Sequence, residues 1–134
     1  MAKVDIILNG FRRTRWLSEQ IEAVKAQTVS ASNIFLWKNK SEQDIPEEAK
    51  SQCIVADCRH NLGVWSRFGY ALNSVSDYVC VLDDDTIPGP LWLENCLKTM
   101  ETNPGLMGTV GVLFGDKHYS WQKLRRVGWC EPNQ

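Results

Sequence analysis

The sequence predicts an α/β layered fold with a largely parallel sheet. Short apolar, β-prone runs alternate with stretches of helical period, in the order β-α-β-(α)-β-α-β-α-β. One of those runs, Tyr78–Leu82 (YVCVL), leads directly into three carboxylates, Asp83, Asp84 and Asp85. Adjacent like charges at the end of a buried strand repel one another and attract a cation. In an open α/β sheet, ligands bind at the carboxyl ends of the strands. Carboxylate oxygens suit hard divalent ions such as Mg²⁺ and Mn²⁺, which often also hold substrate phosphates. On its own the triplet reads as a metal–diphosphate site or as a solvated acidic turn before the Pro88-Gly89-Pro90 break.

Each element follows from its local residues. Val4–Leu8 (VDIIL) is a first strand, broken by Asn9-Gly10. Phe11–Arg15 is a loop with Arg12, Arg13 and Arg15, and Thr14 can cap the helix that follows. That helix runs from about Arg15 to Gln27. Leu17, Ile21 and Val24 share a face with Trp16 beside them, and Glu19, Gln20, Glu22 and Lys25 point outward. Ser30–Asn33 is a turn, and Ile34–Trp37 a second strand ending in Lys38-Asn39-Lys40-Ser41. Glu42–Lys50 is a short helix or loop, and Cys53–Ala56 a short third strand. After the loop Asp57–Gly63 a second helix runs from about Val64 to Val75, with Trp65, Phe68, Leu72 and Val75 as its buried face and Arg67 off that face. Pro90 can occupy the first turn of the next helix, which carries Leu93, Leu97 and Met100 and stops at Asn103-Pro104-Gly105. Leu106–Phe114 is a fifth strand, and Gly115–Gln134 is polar and irregular.

At 134 residues the chain reads as one domain, with a core over 1–114 and an irregular tail over 115–134. A net charge of −1 provides no global field for nucleic acid or an anionic membrane. The five cysteines form no C-x-x-C, which predicts reduced thiols, a cytoplasmic setting and no zinc site. The chain enters an apolar strand by Val4, leaving no room for a signal peptide, and has no apolar run long enough to span a bilayer. Right-handed parallel crossovers gather the strand-end loops on one edge. Asn9–Arg15, Lys38–Ser41, Asp57–Gly63 and Asp83–Thr86 then lie near one another, basic and amide groups around a carboxylate pair.

Three stretches carry a family resemblance: VDIILNGFRRTRWLSEQIEAVKAQT, IFLWKNKS and NLGVWSRFGYALNSVSDYVCVLDDDTIPGPLWLENCLKTM. In this order, and with the strand after them, they resemble the nucleotide-sugar-binding half of GT-A glycosyltransferases of the family 2 type, and in some details the exostosin type. The resemblance covers most of Val4–Phe114. It implies a Rossmann-like nucleotide-diphospho-sugar transferase fold, three-layer α/β/α, truncated at its C-terminal end. It also implies a base pocket lined by Asn9, Gly10, Phe11 and Arg12 or Arg13, and Asn39 meeting the base or ribose. Arg67, after Asn61-Leu62-Gly63, faces the nucleotide. The Asp-x-Asp motif holds Mn²⁺ or Mg²⁺ through Asp83 and Asp85, with Asp84 near the sugar or ribose. The implied donor is a nucleoside-diphosphate sugar, UDP-linked, and the acceptor is a glycan, lipid or protein.

The pattern also departs from the family, whose members are usually longer and carry the acceptor site and catalytic base in a second half. Asp116, His118 and Glu131 are the tail side chains that could act as base or ligand, and none sits in a recognisable motif. Trp121 and Trp129 suit an interface between copies of the chain, or a cover for the core. Two other readings remain open: a non-catalytic nucleotide- or metal-binding module, and a phosphotransferase of the haloacid dehalogenase type. The second normally places Asp-x-Asp near the N-terminus, with Thr or Val two residues past the second Asp. Here Thr86 comes one residue early and Ile87 fills that slot.

Overall fold

A computed structural model describes residues 2–115, 117 and 124–127. Asp116, His118, Trp121, Trp129 and Glu131 lie outside the described residues. The chain divides into two compact units, Met1–Leu97 and Lys98–Gln134, so the division falls well before residue 114.

The first unit is built on a four-stranded sheet in the order β3-β2-β1-β4, with every pairing parallel. Its strands are β1 (Val4–Gly10), β2 (Asn33–Asn39), β3 (Ile54–Cys58) and β4 (Tyr78–Leu82). β1 is buried along its whole length and has a paired neighbour on each side. Both β1 and β2 run further than their apolar residues alone predict, so Asn9-Gly10 and Lys38-Asn39 belong to strands. Parallel ladder bonds to Trp37 and Lys38 carry the first pair, and bonds to Asp57 and Cys58 the second.

Side chains alternate across a strand, so the sheet has two faces. Val4, Ile6 and Leu8 point to one face and join Leu36, Leu82 and the helix residues Leu17, Ile21, Val24, Ala49 and Leu93 in a single core. Those residues come from α1 (Leu17–Lys25), α2 (Glu47–Gln52) and α4 (Trp92–Thr102). Phe35 and Trp37 point to the other face, where Tyr70 of α3 (Ser66–Tyr70) packs its ring on both. Helices therefore lie on both faces of the sheet. Full burial of a side chain such as Ile6 or Leu8 contributes about 1.5–3 kcal/mol.

Several expectations are corrected. Thr14 does not cap α1. It lies in a 3₁₀ turn, Thr14–Trp16, and its hydroxyl donates to Gln43 Oε1, tying the loop after β1 to the loop after β2. Gln20 does not point outward; it is 2% exposed. α4 begins at Trp92, so Pro90 sits in the turn before it. The second helix is short, ending at Tyr70 and passing into a 3₁₀ turn, Ala71–Asn73. Gly69 weakens it from within. Its expected buried face is exposed, with Trp65 at 77% and Leu72 at 87%. The contacts of Tyr70 set this rotation, because its ring meets Phe35 and Trp37 and its hydroxyl donates to the Ile54 carbonyl.

In the second unit, β5 (Gly111–Phe114) pairs antiparallel with β6 (Leu124–Val127) in a separate two-stranded sheet. The fifth strand is thus shorter than expected and is not part of the parallel sheet. The tail, expected to be irregular, contributes β6. A hairpin partner close in sequence satisfies the backbone groups of β5 locally.

Candidate functional site

Strand order places the site. The chain steps outward from β1 to β2 to β3, then returns to the other side of β1 for β4. Between β1 and β4 the direction of winding reverses, and such a switch point opens a crevice at the carboxyl ends of the strands. The residues that follow β1 are Phe11, Arg12 and Arg13; those that follow β4 are Asp83, Asp84 and Asp85.

These two loops meet through opposite charges. The Arg13 guanidinium bridges two carboxylates, at 2.8 Å from Asp84 Oδ1 and 2.7 Å from Asp85 Oδ2. The Arg12 backbone N–H donates to Asp84 Oδ2 at 3.4 Å. From α3, Arg67 donates to Asp83 and also to the Val64 carbonyl. Asp84 and then Asp85 raise the pKa of Arg13 above its ordinary value, so it stays charged. Asp84 is nearly buried at 9% exposed, whereas Asp83 and Asp85 are open to solvent.

A turn presents the carboxylates. The Thr86 N–H donates to the Asp83 carbonyl at 3.0 Å, which leaves Asp84 and Asp85 as the two central residues. Behind the turn lies Gln20 of α1. Its Nε2 donates to the Asp83 carbonyl at 2.7 Å and to the Thr86 carbonyl at 2.6 Å.

Next to the charged cluster is a cleft of about 400 Å³ lined by Phe11, Arg12, Lys40, Ser41, Glu42, Gln43 and Asn61. Arg12 lies over the Phe11 ring at 4.9 Å. The cleft combines an aromatic face, two cations, the Glu42 carboxylate and several amide or hydroxyl groups, a set suited to a base and its sugar.

The predicted site residues thus divide. Phe11 and Arg12 line the cleft, while Arg13, Arg67 and the three aspartates form the charged cluster. Asn9 and Gly10 end β1 beneath them, and a Cβ on Gly10 would meet only ordinary contacts of 3.7–3.9 Å. Asn39 occupies a supporting post. Its Nδ2 donates to Asn61 Oδ1 and the Gly63 carbonyl, and its Oδ1 accepts from the Leu62 N–H. Asn61 Oδ1 also accepts from the Gly63 N–H, and Gly63 takes φ +75, a left-handed turn that glycine favours. Asn39 therefore shapes the cleft wall through Asn61.

Sequence reasoning placed the loops of Lys40, Ser41 and Asn61 near the carboxylates without naming these residues for the site, and it missed Glu42 and Gln43 as cleft residues and Gln20 as the group behind the turn. Gln20 carried a legible signal, since it lies three residues after Leu17 and four before Val24, within the apolar stripe of α1.

The oxygen chemistry of the triplet suits a hard cation. Among the described residues, no group of three or more His, Cys, Asp or Glu is arranged to hold an ion alone. A cation shared with a diphosphate needs only one or two carboxylates, with phosphate and water oxygens completing its shell. Asp83 and Asp85 are the exposed carboxylates of that kind, and each is paired with an arginine, Asp83 with Arg67 and Asp85 with Arg13.

Comparison with known proteins agrees with this architecture. The family model for glycosyl transferase family 2 matches residues 6–133. A glucosyl-dolichyl phosphate glucuronosyltransferase of Haloferax volcanii is 26% identical over 122 residues, covering 85% of this chain and 39% of that protein. The chain thus spans about two fifths of the length of that curated relative. The crystal structure of S. aureus TarS is similar with a TM-score of 0.61 and 14% identity, over 75% of this chain and 20% of that one. That likeness shows the shared GT-A fold alone. The matched span of 6–133 includes both loops of the switch point, and the chain belongs to glycosyl transferase family 2.

Proposed function

We propose that this chain binds a nucleoside-diphosphate sugar, uridine-linked, with Mn²⁺ or Mg²⁺, and passes the sugar to an acceptor. The bridge from Arg13 to Asp84 and Asp85 supports this reading best, because it sets cations and carboxylates side by side at the switch point. A metal-bound diphosphate requires both signs of charge. In this reading the base and ribose lie in the cleft between Phe11, Arg12 and Lys40–Gln43, with Asn39 holding the wall through Asn61. Asp84, held by Arg13, faces the ribose or sugar. Asp83 and Asp85 hold the cation, which when bound neutralises charge on the departing diphosphate as a Lewis acid. Arg13 and Arg67 donate charge-assisted hydrogen bonds to the same oxygens. The acceptor is a glycan, lipid or protein.

Calorimetric titration of UDP into the purified chain, with Mn²⁺ and then with EDTA, tests the reading. Binding is expected with Mn²⁺, lost with EDTA, and weakened at least about tenfold in Asp85→Ala, as removal of a charged metal ligand implies. Equal binding by Asp85→Ala and the native chain would refute the metal assignment. Release of free sugar from a UDP-sugar would separate a catalytic domain from a binding module.

A further inference from the structure

Two buried glutamines of the α1 segment grip the chain on either side of the acidic turn. Gln20, 2% exposed, donates both Nε2 hydrogens, one to the carbonyl of Asp83 and one to that of Thr86. Gln27, 6% exposed and just beyond the helix, donates to the Gly89 carbonyl at 2.7 Å and accepts from the Leu93 N–H at 3.0 Å. The stretch from Asp83 to Leu93 is thereby fastened to one helix segment at four backbone atoms.

Gln20 and Gln27 do different work. Gln27 anchors the entry to α4, away from the carboxylates. Gln20 spans the first and last residues of the turn whose centre is Asp84 and Asp85. A turn closed only by its own Thr86-to-Asp83 bond can open at its ends, and both carboxylates then change direction. A second donor shared by the two end carbonyls ties residues 83 and 86 together, because opening the turn would leave the buried Gln20 amide without its acceptors. We propose that Gln20 is a positioning residue of the donor site, fixing the directions in which Asp84 and Asp85 point at cation and diphosphate. The proposal rests on the donor-binding reading above, and Gln20 itself touches neither ligand.

The test compares the native chain with Gln20→Met, which keeps the buried volume and removes the donors. Two readouts are taken: Mn²⁺-dependent UDP affinity by calorimetry, and amide hydrogen exchange by NMR. In the native chain the Gln20 side-chain amide and the Thr86 N–H are expected to be protected. In Gln20→Met the Thr86 N–H should lose protection while β1 and α1 keep theirs, and UDP affinity should fall about tenfold to a hundredfold, as for other groups that orient metal ligands. Native affinity in the folded variant would overturn the proposal. So would a Gln20 side-chain amide in the native chain that exchanges as fast as a free glutamine, whatever the variant does. If the native chain binds no UDP, the donor reading fails, and the exchange data still decide whether Gln20 fixes the turn.

Discussion

In the proposed reading Arg13 carries two tasks in sequence. In the free chain it neutralises Asp84 and Asp85, which would otherwise repel each other across a tight turn. In the proposed reading, the same guanidinium would offer its fork to the phosphate oxygens of a bound diphosphate. Arg13 is half-exposed, so its exposed pair with Asp85 contributes little to folding, and Gln at this position keeps a donor for the nearly buried Asp84. Arg13→Gln should therefore leave the thermal midpoint unchanged while lowering UDP affinity about tenfold, the loss of a charge-assisted hydrogen bond. Calorimetry and a thermal melt on the same sample check both halves. Of the three arginines in this loop, the sequence shows only that they are clustered. What distinguishes them is geometry: Arg13 reaches the carboxylates, Arg12 lines the cleft, and Arg15 lies over the Trp16 ring at 4.9 Å. Gln20 reads as outward-facing on its amide alone, although its place within the apolar stripe of α1 is legible. An amide reads as solvent-facing until the loop it serves is seen.

Among elements, β1 has a polar group in an unusual place. Asp5 is fully buried at the end of the sheet remote from the site, accepting from Asn33 Nδ2 at 2.9 Å and from the Ser74 hydroxyl at 2.6 Å. Burial by itself pushes the Asp5 carboxyl up, but these hydrogen bonds outweigh it and its pKa lies below the ordinary 3.8. A folded-state pKa below the unfolded one means the stability from Asp5 is complete above 3.8 and is lost as the pH falls through the lower, folded value. Asp5→Asn should cost about 1–2 kcal/mol at neutral pH and flatten the acid side of the stability curve. Urea unfolding at a series of pH values measures both. α3 provides the opposite lesson. The spacing of Trp65, Phe68 and Leu72 made the apolar face legible, yet that face is exposed. Tyr70 breaks the pattern and still decides the rotation, because one ring finds two aromatic partners on the sheet. Trp65→Ser should accordingly change stability by less than about 0.5 kcal/mol. A cost of several kcal/mol in the same urea experiment would mean the indole is buried.

For the molecule as a whole, strands could be read locally but their neighbours could not. Val4–Leu8 and Tyr78–Leu82 announce themselves as apolar runs, and their pairing through Ile6 and Cys80 is written nowhere in either segment. The same limit explains why the fifth strand was expected in the parallel sheet, since a run such as Val112–Phe114 carries no label for its partner. Strand order in turn decides where the two charged loops meet, so the candidate residues were visible before their grouping was. The first unit has the means to fold by itself. Its core cluster runs from Val4 to Leu93, and α1 fastens both Asp83 and Leu93 through buried amides. A chain ending at Thr102, the last residue of α4, keeps every one of these groups. It should unfold in one cooperative transition, with a midpoint within about 5 °C of the full chain, the shift that roughly 1 kcal/mol produces in a domain of this size. It should also bind UDP with Mn²⁺ as the full chain does, since all residues of the cleft and the acidic turn precede Leu97. Circular dichroism on heating checks the first outcome and calorimetry the second. A broad, non-cooperative melt would show that the core of the first unit depends on residues beyond α4, whereas a sharp melt without UDP binding would place a donor contact there.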